Sequence, residues 1–176
     1  MGAILMDYFR ELTQAMADLA QNPKTLFVGQ QVRFDGQRMH ASFKDVPMER
    51  RIEMPVCEDF QLGFCAGLAL SGFLPICVFP RMDFLIIAAN QLVNHLDKFP
   101  LMFKPAPKVI IRTAVGATRP LDPGPQHTQN HVDALRMMLK TIPVIELFDE
   151  GSIASAYQEA HASDTSTIIV ERMESY

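Results

Sequence analysis

This 176-residue chain predicts a three-layer α/β fold, a mostly parallel sheet between two layers of helices. Three observations predict it. Segments with apolar residues every three or four positions alternate along the chain with short apolar runs rich in β-branched residues. Those runs (TLFVG, LPICVF, KVIIR, VIELF and TIIVE) lack the strict apolar-polar alternation of a sheet with one wet face, so both faces are expected to be covered. No internal repeat, low-complexity tract or Ser/Gly linker divides the chain, and residues 1–176 are read as one domain.

The elements follow in order. Residues 4–21 carry a helical stripe of Leu5, Tyr8, Phe9, Leu12, Met16 and Leu19, stopped by Asn22-Pro23 before the strand TLFVG. Residues 30–55 are polar and irregular and read as a long functional loop leading into an extended stretch, MPVCE. A helix from about residue 59, a strand at 74–79, a helix over about 83–97 and a strand at 108–112 come next. Residues 113–130, rich in Gly, Pro and Thr, form a second long loop, and helix, strand, helix and strand (HVDALRMMLK, VIELF, SIASAYQEAHA, TIIVE) complete the alternation. In such folds the ligand crevice lies beyond the carboxyl ends of the strands, where both loops should emerge.

Composition narrows the function. With 16 Lys+Arg against 20 Asp+Glu the net charge is -4, and the basic residues are scattered, so neither nucleic acid nor an anionic membrane is an expected partner. Residues 62–79 carry no charge and reach the length of a membrane span. Gly72 and Pro75 divide that run into a buried helix and a central strand, and the membrane reading is rejected. Cys57, Cys65 and Cys77 are odd in number, lack CxxC spacing and read as small buried apolar side chains. They fit a reducing cytoplasm, as does a start without an export signal.

Glu58 is the sharpest local feature, an acid directly after Met54, Pro55, Val56 and Cys57 and at the entrance of an apolar helix. Desolvation there can raise a carboxyl pKa, so that it holds a proton for a ligand nitrogen. Glu58 and Asp59 equally suit a helix first turn, where acids complement the dipole. Phe84 fits a core position at a helix start, and His127 fits an exposed loop. His131, four residues on, makes only a weak metal signal without a third ligand. Gly63 and Gly67 allow close approach of another helix or of a cofactor, and Met137 and Met138 read as core or interface filling.

The stretch PVCEDFQLGFCAGLALSGFLPICVFPRMDFLIIAANQLVN resembles the pyrimidine-binding domain of transketolase-like thiamine-diphosphate enzymes, most of all the beta subunits of 2-oxoacid dehydrogenases. MDYFRELTQAMADLAQNPKTLFVGQQV is similar to that domain's opening helix and strand, and GPQHTQ to its Gly-x-Gln-His-Ser-Gln loop. The resemblance implies that Glu58 bonds the pyrimidine ring nitrogen and donates a proton, so that the cofactor's exocyclic nitrogen can take the thiazolium carbon proton. It implies that Phe84 packs on the pyrimidine, that Val56 joins the cofactor contacts, that Phe79 supports from behind, and that His127 faces the substrate.

Two departures bear on function. The chain stops after its apparent last strand, where the beta subunits continue into a further domain, so docking into a large dehydrogenase complex is not expected. No Gly-Asp-Gly with a distant Asn is present, so Mg2+ and the diphosphate are assigned to a separate alpha-like subunit, in an expected heterotetramer. Arg81 and residues 113–125 differ from the dehydrogenase pattern, which leaves the substrate open among 2-oxo acids and ketoses, with decarboxylase, carboligase and ketol-transfer chemistry all possible. Two other functions stand beside this one: a non-catalytic assembly or regulatory subunit of the same fold, and a flavodoxin-like nucleotide binder, against which the absence of a Gly-rich loop after the first strand counts.

Overall fold

Apolar runs flanked by amphipathic helices produce the predicted sheet. The computed structural model describes residues 2–35, 38–119 and 122–176, with side chains from residue 8 onward. Among them, strands β1 (Thr25–Gly29), β2 (Arg51–Glu53), β3 (Leu74–Phe79), β4 (Ile110–Val115), β5 (Val144–Glu146) and β6 (Thr167–Arg172) lie in the order β2-β1-β3-β4-β6-β5. Every pairing is parallel. The chain steps outward from β1 to β2 and then returns to place β3 on the other side of β1. The crevice expected at such a reversal of direction lies between the carboxyl ends of β1 and β3.

Neighbouring residues on a strand feed opposite cores, as a pleat requires. Ile111 and Ile168 join Leu62, Cys65, Leu85, Leu92 and Phe99 beneath α3 (Glu58–Leu70) and the helical run that follows β3. Ile110 and Ile169 join Leu12, Met16, Phe27 and Tyr157 beneath α1 (Gly2–Leu19) and α7 (Ile153–Ala162). Tyr8, Leu12, Met16 and Leu19 of the predicted first-helix stripe are all buried.

Three expectations need correction. Residues 30–55 are not irregular throughout: they contain α2 (Arg38–Ala41) and β2, which extends the sheet by pairing Phe27 with Arg51. The predicted helix over 83–97 starts at α4 (Met82–Leu85) and runs through 3-10 and π turns to α5 (Phe99–Met102). The fourth strand is displaced toward the C-terminus. Lys108 leaves the sheet and donates to the carbonyls of Ala160 and His161 at the end of α7 (3.4 and 2.6 Å), where a cation complements the helix dipole. Thr113, Ala114 and Val115 continue the strand beside β6 instead of opening the loop. No helix among the described residues is long and apolar enough to cross a membrane.

The second core contains a buried ion pair. Arg112 on β4 donates to both oxygens of Glu171 on β6 (2.7 and 3.0 Å), and both residues have zero exposure. Tyr157 and Tyr176 donate to the same carboxylate, and Ser42 accepts from Arg112 at 2.8 Å. Burial, then the Glu171 charge, pushes both phenols up. Burial works against the Arg112 cation, but Glu171 beside it holds the guanidinium pKa above its ordinary value.

Candidate functional site

The exit of β1 is built so that one side chain can reach Glu58. A Cβ on Gly29 would lie 2.2 Å from the Val78 carbonyl oxygen, so only glycine lets β1 and β3 approach here. The next residues turn, with Gln31 in the left-handed region at φ 62°. Glu53, on the neighbouring β2, accepts the backbone N–H groups of Gln31, Val32 and Arg33 at 2.7, 2.9 and 2.7 Å. That nest fixes the turn and aims Gln30, whose Nε2 donates to Glu58 Oε1 at 3.0 Å.

Glu58 is the first residue of α3 and is 4% exposed. Gln30 is its one side-chain donor, which leaves Oε2 without a protein partner among the described bonds. One turn on, the buried Gln61 donates to the Val78 carbonyl at 2.9 Å, while its own Oε1 has no partner among the described residues. Val56, just before α3, is 81% exposed, and Cys57 is exposed rather than buried as its apolar neighbours suggested. Cys65 and Cys77 are buried as expected.

Beyond β3, the turn Arg81-Met82-Asp83-Phe84 grips the loop that follows β4. Arg81 Nη1 donates to the carbonyls of Gly116 (2.8 Å) and His127 (2.6 Å). Met82 Sδ accepts the His131 N–H at 3.1 Å, and Asp83 Oδ1 accepts the Gln129 N–H and side-chain amide at 3.3 and 3.2 Å. The Phe84 ring meets the His127 ring edge-on, centroids 5.5 Å apart and planes at 80°. His127 Nδ1 is buried without a partner among the described residues. Burial pulls the Arg81 guanidinium pKa down, and the Asp83 charge opposes this.

Phe84 and His127 are thus in contact, and Glu58, which follows β2, is tied by Gln30 to the exit of β1. Adjacent strands lie about 4.8 Å apart, so the exits of β1, β3 and β4 stand in a row roughly 10 Å across at one edge of the sheet. Phe79 is fully buried behind it. His131 stands at the N-terminus of α6 (Val132–Met138), and among the described residues no three His, Cys, Asp or Glu side chains are grouped to hold a metal. Gly63 abuts Gln91 of the neighbouring helical run, but Gly67 has nothing within 4 Å. Met137 and Met138 are exposed rather than core.

Residues 6–176 match the family described as the transketolase pyrimidine-binding domain. The chain belongs to this family. The pyrimidine-binding domain is 29% identical over 102 residues to the pyruvate dehydrogenase E1 component subunit beta of Gracilaria tenuistipitata, a match spanning 54% of this chain and 30% of that subunit. It is 32% identical over 91 residues to the mitochondrial subunit of the same name from Chaetomium thermophilum, spanning 49% of this chain and 24% of that one. Among solved structures, a split-gene transketolase described as an inactive beta4 tetramer superposes with a TM-score of 0.70 at 20% identity, covering 92% of this chain and 49% of the other. A transketolase from Campylobacter jejuni gives 0.72 at 15% identity, covering 93% and 25%. At these identities the structural likeness shows the fold, a parallel α/β sheet flanked by helices.

Proposed function

We propose that this domain is the pyrimidine-binding half of a thiamine-diphosphate enzyme, completed by a separate diphosphate-binding polypeptide, and that Glu58 is its proton donor. The observation that carries the reading is a nearly buried carboxyl tied to the β1 exit beside the sheet's switch point, oriented by one amide and with one oxygen left for a ligand. The residues fit the pyrimidine end of the cofactor: an acid for a ring nitrogen, the half-buried ring of Phe84 for stacking, and Val56 as an exposed apolar contact on the Glu58 side. The buried, unpartnered His127 Nδ1 beside Phe84 supports a polar ligand at this end of the crevice. Mg2+ and the diphosphate fall to the partner, an alpha-like subunit in a heterotetramer.

Thiamine diphosphate held here would supply a thiazolium carbon as the nucleophile toward a 2-oxo acid or ketose. The protein's part is proton placement and orientation. Gln30 fixes Oε1 of Glu58, so Oε2 is the atom that carries the proton toward the ring nitrogen. Phe84 sets the plane of the ring, and His127 offers an imidazole to the substrate's carboxylate or carbonyl. The cytoplasm is the proposed compartment, in keeping with three free cysteines.

The test is reconstitution with the diphosphate-binding subunit. Thiamine diphosphate with Mg2+ should raise the melting temperature of the complex, and Glu58→Ala should lower turnover by about a hundredfold to ten-thousandfold. Full activity in Glu58→Ala would remove the proposal. No cofactor-linked stabilisation would leave the fold as an assembly or regulatory module.

A further inference from the structure

Four consecutive side chains, Arg81 before α4 and Met82, Asp83 and Phe84 in its first turn, all hold the loop after β4. Asp83 and Met82 secure its far end at Gln129 and His131. Arg81 acts at two places at once, because a single nitrogen joins the carbonyl of Gly116, just past the end of β4, to that of His127 farther along the loop. The carbonyl of His127 belongs to the same residue whose ring abuts Phe84 and whose Nδ1 is buried without a partner. Gly116 is itself confined, since a Cβ there would sit 2.1 Å from Glu174 Oε2, so one end of the strap is fixed by packing. A backbone pinned at 116 and 127 leaves the imidazole little freedom except rotation of its own side chain, and the Phe84 edge limits that.

We propose that Arg81 is the positioning residue for His127: its guanidinium closes the loop after β4 by bridging the Gly116 and His127 carbonyls, and so presets the imidazole against Phe84 at the substrate end of the crevice. This rests on the functional reading for its consequence but not for its geometry. Arg81 acts through another residue's backbone and does not itself touch the reacting atoms. Lysine retains charge and several donors on one nitrogen, but on a shorter, flexible stem with no guanidinium plane to fix where they point, so it can satisfy both carbonyls only imperfectly. Methionine fills similar space and donates nothing.

The test uses the full chain with 13C-labelled histidine and needs no substrate. In the wild type, Phe84→Leu should shift the His127 ring resonances, assigned with His127→Gln. In Arg81→Met the same Phe84→Leu change should leave them unmoved, because the rings are no longer held together. A role in overall folding would not produce this loss of coupling. Acylation of His127 by diethyl pyrocarbonate, referenced to His131, should rise about tenfold in Arg81→Met, as the local bridge of two charge-assisted hydrogen bonds is lost. Arg81→Lys should fall between, and it keeps the test available if Arg81→Met does not fold. Unchanged coupling and unchanged His127 reactivity in either variant overturn the inference. Failure of thiamine diphosphate to stabilise the reconstituted complex would overturn the functional reading while leaving the Arg81 result intact.

Discussion

Two buried glutamates at opposite sides of the sheet show how a carboxylate used for structure differs from one kept for a ligand. Glu171 is saturated: Arg112 grips both its oxygens, and Tyr157 and Tyr176 add hydroxyls. Glu58, almost as deeply buried, accepts from Gln30 alone among the described side chains. A nearly buried carboxyl with few partners is costly, and so marks a candidate site for a ligand. Asp97 falls on the structural side. It accepts from Lys98 Nζ, from the Lys140 and Thr141 N–H groups and from the Thr141 hydroxyl, at 2.6 to 3.1 Å, and so ties the helical run after β3 to the segment entering β5.

The contrast breaks most visibly at Arg112. Arg112→Met leaves Glu171 buried without its cation and should cost about 3–5 kcal/mol in urea unfolding. A loss under about 1 kcal/mol would mean that Glu171 is less committed than its contacts indicate. Asp97 gives the next largest effect through pH. Burial pushes its carboxyl up, but the bonds from Lys98, Thr141 and Lys140 outweigh this and bring it down to about 2 from 3.8. A carboxyl depressed by folding stabilises the protein above its unfolded value, so its contribution, roughly 2 kcal/mol, is present above pH 3.8 and lost as pH falls toward 2. Asp97→Asn should flatten unfolding free energy against pH in that window. Glu58→Gln should change stability least, within about 1 kcal/mol, because a single neutral donor is at stake.

The sequence made the alternation of elements legible because central strands covered on both faces leave apolar runs, and β3 and β6 fall where those runs lie. Charged residues inside strands misled it. Arg112 looked like a strand end, but it sits mid-strand because Glu171, 59 residues away, receives it. β2 was invisible, since three residues, Arg-Ile-Glu, carry no pattern. Glu58, Phe84 and His127 were found as residue types at the ends of strands. Their supports were not: Gln30 reaches Glu58 across 28 residues, Glu53 orders the β1 exit across about 20, and Arg81 reaches His127 across 46. Contacts this distant have no local signature, and only Arg81 stood out, as a departure from the pattern of related chains.

The central proposal is that Glu58 places a proton on a pyrimidine nitrogen, which would let the exocyclic nitrogen act as the base for the thiazolium carbon proton. Its most direct test is deuterium exchange at that carbon of thiamine diphosphate, followed by NMR with the reconstituted complex and no substrate. The account predicts fast exchange with the wild type and a fall of about a hundredfold or more with Glu58→Gln, while cofactor binding persists. Equal exchange rates in the two proteins, with cofactor bound to both, would contradict it.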